Sequence, residues 1–216
     1  MYHYEYVTQR EAAPYREKFL EILREVQDLV RDKFTFSYYF IGSSSRNMIT
    51  CDRSTNKGFD FDINLCVNDD DEEFDAEEIK KTLMRAIDQT AVPRGFRYCE
   101  DSTRVITLKK NGAPWNRIEY SCDFAIVNDY THNGEHCQQY IHFNKKQGTY
   151  TWQDQPHPCY LNQKVNWIKG QGLWGEVRDI YLDKKNNNTN PDKRSRALYA
   201  ESVNEVCVSN GYYQHR

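Results

Sequence analysis

The sequence predicts a mixed α/β (α+β) fold, with a mixed sheet covered by helices on one face and a helical subdomain after it. Apolar residues recur every three or four positions in some segments, and β-branched or aromatic runs lie between those segments. From about residue 150 the strand-like runs give way to helical patterns near 159–169, 173–185 and 193–208. We therefore expect residues 1–150 to form a core with an N-terminal helix, and residues 151–216 to form the helical subdomain.

Helices and strands are predicted in a definite order through the first part of the core. The expected elements are a helix at about 11–33, strands at 34–41 and 59–67, and a helix at 76–91. Pro14 is placed near the helix start, where no backbone hydrogen bond is lost. Asp75 and Glu78 have the spacing of a capping box at the start of the later helix. The acidic run at 68–73 is interpreted as a solvated stretch beside that helix.

A hairpin is predicted in the second part of the core. Its strands are expected at 103–110 and 116–127, because Asn111-Gly112 between two β-rich runs is a strong hairpin signal. The second Asn-Gly pair, Asn133-Gly134, lies among histidines and a cysteine and is interpreted as a loop.

Composition indicates a globular cytoplasmic protein with no membrane partner. The 216 residues are 38% hydrophobic and 14% aromatic, which is enough for a real core. No apolar run approaches the roughly 20 residues that span a bilayer, and the N-terminus lacks the features of a signal peptide. The seven cysteines include no CxxC pair, which favours reduced thiols over a disulfide framework.

Net charge argues weakly against a long nucleic acid as partner. The formal net charge is -3, whereas proteins that hold long polynucleotides by their phosphates usually carry a positive excess. A local basic patch stays compatible with this composition.

Two aspartates share one face of the strand predicted at 59–67. Strand side chains alternate, so Asp60 and Asp62 point one way while Phe59, Phe61 and Ile63 point the other. Like charges this close are costly unless a cation neutralises them, and Mg²⁺ prefers carboxylate oxygens and phosphates. For the motif taken alone, two exposed aspartates on a solvated strand are the commoner explanation.

Gly42-Ser43 ends the preceding strand and supports a cation site at the two aspartates. Glycine lets a backbone turn sharply and approach a phosphate closely, and serine adds a hydroxyl donor. Taken alone, this pair is more often an ordinary turn that ends a strand.

Together the two motifs resemble the DNA polymerase beta-like nucleotidyltransferase superfamily. That superfamily combines a strand, Gly-Gly or Gly-Ser, a short helical stretch and an Asp-x-Asp flanked by apolar residues, as in residues 40–46 and 59–65. It also expects a third carboxylate on a later antiparallel strand. Asp123 fits that place, with small neighbours Ser121 and Ala125 on its face, and Glu119 is a fallback candidate. The layout of helices is similar to oligoadenylate synthetases and bacterial cyclic-oligonucleotide synthases.

The resemblance implies a nucleotidyltransferase that moves a nucleoside monophosphate from a nucleoside triphosphate to an acceptor hydroxyl and releases pyrophosphate. Asp60 and Asp62 would hold two Mg²⁺ or Mn²⁺ ions, and Asp123 would hold the catalytic one and help deprotonate the acceptor. Gly42 and Ser43 would cradle the triphosphate. The acceptor is expected to be a small molecule, a nucleotide or a protein.

Other interpretations stay open at this point. The chain is also compatible with a catalytically silent nucleotide-binding or regulatory protein, or with a toxin–antitoxin component that nucleotidylates a protein. Four residues offer zinc-ligand chemistry but match no common ligand spacing, so a loop is the favoured interpretation: His132, His136, Cys137 and His142. Five basic residues on the C-terminal helices are interpreted as a solvated face, with one of them reaching a triphosphate as the alternative: Lys164, Lys169, Arg178, Lys184 and Lys185.

Overall fold

The computed structural model describes residues 3–55, 58–69, 73–112, 118–155 and 159–215. The chain forms two compact units. We call Val7–Gln155 the core unit, and we call Met1–Tyr6 together with Pro156–Arg216 the helical unit.

The core unit contains a sheet, two long helices and several short elements. In chain order they are α1 (Gln9–Val30), β2 (Thr35–Ile41), α2 (Gly42–Ser45), β3 (Thr50–Cys51), β4 (Phe59–Asn68), α3 (Ala76–Ala91), a 3-10 turn (Val92–Arg94), β5 (Glu100–Asp101), β6 (Ile106–Asn111), β7 (Ile118–His132), β8 (Glu135–Asn144) and β9 (Thr149–Asp154). The helical unit contains β1 (Glu5–Tyr6), α4 (Cys159–Gly170), α5 (Trp174–Asn187), α6 (Ser195–Ser209) and a 3-10 turn (Tyr212–His215).

The two long helices form where the periodicity predicts them. α3 has the predicted bounds, and Asp75 caps it by accepting a hydrogen bond of 2.8 Å from the Glu78 backbone N–H. α1 begins at Gln9 rather than 11, because Thr8 caps it through the Glu11 N–H. Pro14 therefore lies beyond the first turn, and its missing N–H does remove a helical hydrogen bond, contrary to the prediction.

The sheet is mixed, with strand order β2-β4-β7-β6-β5, and β8 and β9 extend it from β7. β4 runs antiparallel to β2 and parallel to β7, while β6 runs antiparallel to β7. β4 and β7 are therefore central strands, so each has neighbours on both edges. Asp60 and Asp62 both lie on β4, so the Asp-x-Asp motif is inside the sheet rather than at its edge.

One face of β4 and β7 packs into the hydrophobic core. Phe19 of α1 is fully buried, and its ring centroid lies 5.4 Å from that of Phe61 and 6.3 Å from that of Phe124. On β4 the residues alternate between buried apolar side chains and more exposed polar ones as far as Asp62. Burial of this aromatic face fixes the register of the strands, because a slip of one residue would exchange the two faces.

The end of the sheet differs from the prediction. Asn133-Gly134 is a tight two-residue turn between β7 and β8, and both residues have positive φ, at 52° and 79°. Such a turn matches the twist of paired strands, so the predicted loop is wrong. The two strands of the hairpin predicted at 103–127 pair antiparallel, with β6 starting later, at Ile106. Residues 113 and 114 of the turn predicted at 111–114 lie outside the described residues.

The sheet also continues past residue 150, since β9 pairs with β8 through Asp154. The three helices of the helical unit follow, within two residues of the predicted bounds. The division of the chain into domains at residue 150 stays a prediction.

Two expectations from composition concern the whole chain. In the described part, no helix is both long enough and apolar enough to cross a membrane. Among the described residues, none of the following cysteines forms a disulfide: Cys51, Cys66, Cys99, Cys122, Cys137 and Cys207. Residues 70–72 of the acidic run lie outside the described residues.

Candidate active site

The sheet register brings the three predicted aspartates to adjacent positions. Asp62 on β4 pairs directly with Asp123 on the parallel strand β7, and Asp60 pairs with Ser121. Paired residues on neighbouring strands point to the same face, so all three aspartates belong to the face opposite the aromatic core. The alternation of side chains along two separate strands is what makes the three meet.

Hydroxyl groups on the neighbouring strands orient two of the carboxylates. Thr107 of β6 donates a hydrogen bond of 2.6 Å to Oδ1 of Asp123. Ser121 of β7 donates a short hydrogen bond to Oδ1 of Asp60. Both hydroxyls face the aspartates because Thr107 pairs with Asp123, and Ser121 with Asp60, in the sheet.

Burial and mutual repulsion disfavour ionisation of the inner two aspartates. The pKa of Asp62 is raised to about 6. Desolvation is the largest cause, repulsion by Asp123 and Asp60 adds to it, and the positive charge of Arg46 acts against it. Burial also raises the pKa of Asp123, with a further contribution from Asp60, while the Thr107 hydrogen bond and Lys109 act against it. The charges of the three carboxylates are therefore coupled, and the ionised cluster lacks full compensation from the protein.

This donor set fits a hard divalent cation in its chemistry. Carboxylate oxygens are the ligands that Mg²⁺ prefers, and a cation would relieve the repulsion that raises the pKa of Asp62. Within the described residues, however, no group of three or more His, Cys, Asp or Glu side chains is arranged closely enough to hold a metal as they stand. Strand register therefore sets the three aspartates at neighbouring backbone positions, but the predicted convergence of their carboxyl groups on a shared metal is not found among the described residues.

Gly42 lies against the same cluster. Its φ of 63° falls in the left-handed region, and a Cβ added to it would lie 2.3 Å from Oδ2 of Asp62. Both the backbone conformation and the close approach require glycine at this position. Ile41, which precedes it, pairs with Asp62 in the register of β2 and β4.

The serines after Gly42 differ in what they do. Ser44 is buried, and its hydroxyl donates to the Ile41 carbonyl at 2.7 Å, so it stabilises the turn. Ser45 donates to the Gly42 carbonyl at 3.1 Å. The Ser43 carbonyl accepts from the Met48 N–H at 2.9 Å, and its hydroxyl has no partner among the residues that the structure describes. Ser43 is therefore the serine of this turn with an uncommitted donor.

The fallback carboxylate lies further from the cluster. β4 begins to pair with β7 at Tyr120, so Glu119 precedes the paired segment. Asp123 rather than Glu119 lies directly beside Asp62 in the sheet.

The residues considered for zinc lie on a hairpin and do not assemble. His132 pairs with Glu135 near the turn, whereas His142 lies at the far end of β8, opposite Thr151. The described residues contain no metal-holding group here.

The basic residues considered for the triphosphate have partners within the helical unit. Lys164 donates to Asn204 at 2.8 Å and Lys184 pairs with Glu205 at 2.8 Å. The other three lie over aromatic rings at 4.5 to 5.1 Å: Lys169 over Trp174, Arg178 over Tyr6 and Lys185 over Tyr4. Trp167 and Trp174 also pack against tyrosine rings of this unit.

Sequence reasoning missed the hydroxyl partners and one nearby cation. Thr107 and Lys109 share a face of β6, and Lys109 forms an ion pair of 2.7 Å with Glu100 while its charge lowers the pKa of Asp123. Their alternate positions on the predicted strand were a usable signal. The predicted hairpin already pairs these two strands, but the register that sets Thr107 opposite Asp123 had to be known before that signal pointed to Asp123.

Comparison with known proteins shows a similar fold among solved structures. No family model and no curated protein sequence matches the chain. The Vibrio cholerae DncV cyclic AMP-GMP synthase, solved with a linear intermediate, matches with a TM-score of 0.61 and 12% identity over 92% of this chain and 67% of that one. The Rhodothermus marinus CdnE c-UMP-AMP synthase, solved with Apcpp and Upnpp, matches with a TM-score of 0.53 and 11% identity over 87% and 69%.

This chain covers a smaller share of a third solved protein. The Bradyrhizobium diazoefficiens CD-NTase CdnG, in complex with GTP, matches with a TM-score of 0.51 and 14% identity, and this chain covers only 43% of its length. At such identities the likeness concerns the fold. It confirms the α/β class, and it confirms in fold the resemblance drawn from Gly42-Ser43 and the Asp-x-Asp.

Proposed function

We propose that the chain is a metal-dependent nucleotidyltransferase that transfers a nucleoside monophosphate from a nucleoside triphosphate to an acceptor hydroxyl. The observation that carries the proposal is the direct pairing of Asp62 with Asp123 on parallel strands, with Asp60 on the same face. The Gly42 backbone held against Asp62 adds a close approach for a phosphate. The likeness in fold to solved synthases of cyclic nucleotides agrees with this assignment.

Asp60, Asp62 and Asp123 would hold the divalent cations, Mg²⁺ or Mn²⁺, and two ions are expected from the resemblance. When bound, the cations supply positive charge that stabilises the phosphate oxygens and the leaving pyrophosphate. The support for this ligand set is the sheet register, in which Asp62 pairs with Asp123 and Asp60 pairs with Ser121. Thr107 and Ser121 would keep hydrogen-bonding the oxygens that do not face the cations.

The remaining steps belong to residues of the chain. Gly42 and Ser43 contact the triphosphate, with the Ser43 hydroxyl donating to a phosphate oxygen. Asp123 accepts the proton of the acceptor hydroxyl, whose oxygen then bonds to the α-phosphorus. The bond between that phosphorus and the β-phosphate bridging oxygen breaks, and pyrophosphate leaves with the electron pair.

The acceptor is proposed to be a nucleotide, a small molecule or a protein. With a net charge of -3, the chain lacks the positive excess that a long polynucleotide track requires. We expect weak binding to RNA and DNA of either strandedness at about 150 mM salt, which filter binding across a salt series checks. Submicromolar affinity, with a salt dependence that corresponds to four or more phosphate contacts, would instead favour an enzyme that extends polynucleotides.

Turnover is tested by incubating the full chain with each labelled triphosphate and Mg²⁺ or Mn²⁺, alone and with cell extract. We expect pyrophosphate and a labelled product with at least one triphosphate. The matched control is the double variant Asp60→Asn with Asp62→Asn, which keeps the side-chain volumes. Binding of triphosphate without pyrophosphate in every condition would support a silent nucleotide-binding protein instead. Equal turnover in the double variant would contradict the site.

A further inference from the structure

A cavity of about 260 Å³ lies in the core unit, on the aromatic side of β4. One of its walls is Phe61, which alternates with Asp60 and Asp62 along the strand and therefore points away from them. The remaining walls come from the start of α1 and from the segment that follows Gly42. The volume is just below the roughly 300–1,000 Å³ of pockets for drug-sized ligands, so it suits a smaller molecule.

Small side chains on one face of α1 leave this space open. Gln9, Ala12, Ala13 and Arg16 all line the cavity, and their spacing of i, i+3, i+4 and i+7 puts them on one face of the helix. Two turns after Ala12, the position in line with it is occupied by Phe19, which is fully buried. The cavity therefore exists where α1 has alanines in place of the large side chains that fill the core further along.

The walls are apolar, and one cation lies among them. Val7, Ile49 and Phe61 are buried side chains of the lining. Arg16 is exposed, and its guanidinium carbon lies 4.0 Å from the centroid of the Phe40 ring. No carboxylate pairs with Arg16 among the residues that the structure describes. Its N–H donors are therefore available to a negatively charged group in the cavity.

Two amide side chains add hydrogen-bonding groups to the lining. Nε2 of Gln9 donates to Oδ1 of Asn47 at 2.5 Å, which joins the start of α1 to the segment after Gly42. This contact leaves the side-chain N–H groups of Asn47 without a partner in the part of the chain that the structure describes. Both amides line the cavity together with Arg16, so an acidic group there has more than one kind of donor nearby.

We propose that this cavity binds a small monocarboxylic acid, with its carboxylate on Arg16 and its apolar body against Val7, Ile49 and Phe61. A guanidinium and a carboxylate can form two parallel hydrogen bonds. One cation compensates one negative charge, which favours a monocarboxylate over a phosphate or a nucleotide. The apolar walls favour a body of several carbons, because each buried methylene group strengthens binding. The site includes none of the three aspartates, so it is independent of the proposed function.

The test is a titration of the full chain with octanoate, hexanoate, acetate and 1-octanol, followed by NMR of the backbone amides. Octanoate should bind saturably and shift the amides of Ser44 and Ile49, while those of Thr107 and Ala125, on the carboxylate face, stay fixed. Hexanoate should bind roughly tenfold more weakly, because it buries two fewer methylene groups at about fourfold each. Acetate lacks the apolar body and 1-octanol lacks the charge, so each should bind at least about tenfold more weakly than octanoate.

Two variants separate the charge of the cavity from its space. Arg16→Gln removes the guanidinium and should weaken octanoate binding about five- to tenfold, while the affinity for 1-octanol stays unchanged. Arg10→Gln, on an exposed residue of α1 outside the lining, is the matched control and should change neither affinity. Ala12→Leu fills the cavity and should abolish binding of both compounds, with folding checked by circular dichroism.

Three results would overturn the proposal. Octanoate would fail to saturate the wild type by about 10 mM, or would shift the carboxylate face instead. Arg16→Gln would bind octanoate with the affinity of the wild type. A folded Ala12→Leu variant would bind octanoate as the wild type does. Because Arg16 is exposed, its substitution decides the question even where Ala12→Leu does not fold.

Discussion

The two faces of β4 are made from alternate residues of one short segment, and they do opposite things. Phe61 is 1% exposed and packs within an aromatic cluster beneath α1, while its neighbours Asp60 and Asp62 belong to the other face. The aromatic face gains stability from burial. The carboxylate face costs stability, because burial and repulsion disfavour the ionised form of Asp62. The same two effects raise its pKa to about 6.

This contrast shows how the fold supports a destabilising arrangement. The aromatic face fixes the register of β4 and β7, and that register places Asp62 beside Asp123. The carboxylates do not need to attract one another, since the other face holds their backbones in place. Changes on the two faces should therefore separate activity from stability.

The largest expected effect is on activity. Asp62→Asn should reduce pyrophosphate release roughly a thousandfold, because several kcal/mol of transition-state stabilisation depend on the cation site. Its stability at pH 8 should equal or exceed that of the wild type. The raised pKa means that the folded state favours the protonated carboxyl, so ionisation destabilises the fold as the pH rises towards and above about 6. Urea unfolding at pH 8 checks this, and a clear loss of stability would show that the carboxylate is structural.

The next effect is on stability. Phe61→Ala should lower the free energy of unfolding by about 3–5 kcal/mol, because it leaves a cavity in the aromatic cluster. Urea denaturation measures it. Asn68→Ala, at the exposed end of the same strand, should stay within about 0.5 kcal/mol. A loss below about 1 kcal/mol for Phe61→Ala would contradict the role of this face.

Gly42→Ala should affect both properties. An L-residue in the left-handed region costs about 1–2 kcal/mol, and the new Cβ would displace the Asp62 carboxylate. Gly148→Ala is the matched control, since its φ of 67° is similar and nothing lies within 4 Å of the added Cβ. Both variants should lose similar backbone stability, but only Gly42→Ala should lose turnover. Equal turnover would remove Gly42 from the site.

The smallest effect concerns a positioning residue. Thr107→Val removes the hydroxyl that orients Asp123, and kcat should fall about tenfold while KM for the triphosphate stays unchanged. Thr107→Ser keeps the hydroxyl and should restore most of the rate. A change in KM alone would place Thr107 in triphosphate binding instead.

The sequence predicted elements whose patterns are local. α3 was predicted with its cap because Asp75 and an amphipathic stretch lie together, and β4 was predicted because Phe59, Phe61 and Ile63 alternate with aspartates. The assignment of Asp123 to the site followed from the same alternation together with the resemblance.

What the sequence did not reveal depends on distant pairing or on polar strands. β8 is half-exposed along much of its length, so its alternation is weak and does not show that Asn133-Gly134 joins two strands. Ser121 lies 61 residues from Asp60, so that contact required the pairing of β4 with β7. Thr107 lies 16 residues from Asp123, and that contact required the register of the hairpin. Asn64 lies on the same face of β4 as Asp60 and Asp62, but its hydrogen bonds to Tyr39 and Gln138 join three different strands.

The account depends most on the claim that the carboxylate face of β4 and β7 binds a divalent cation. Thermal melts of the wild type and of Asp60→Asn with Asp62→Asn, each with and without millimolar Mn²⁺, test that claim directly. The wild type should be stabilised, by about 2.7 kcal/mol when the ion is at a hundred times its Kd, and the double variant should show little or no shift. The absence of a shift in the wild type, or an equal shift in both proteins, would contradict the claim.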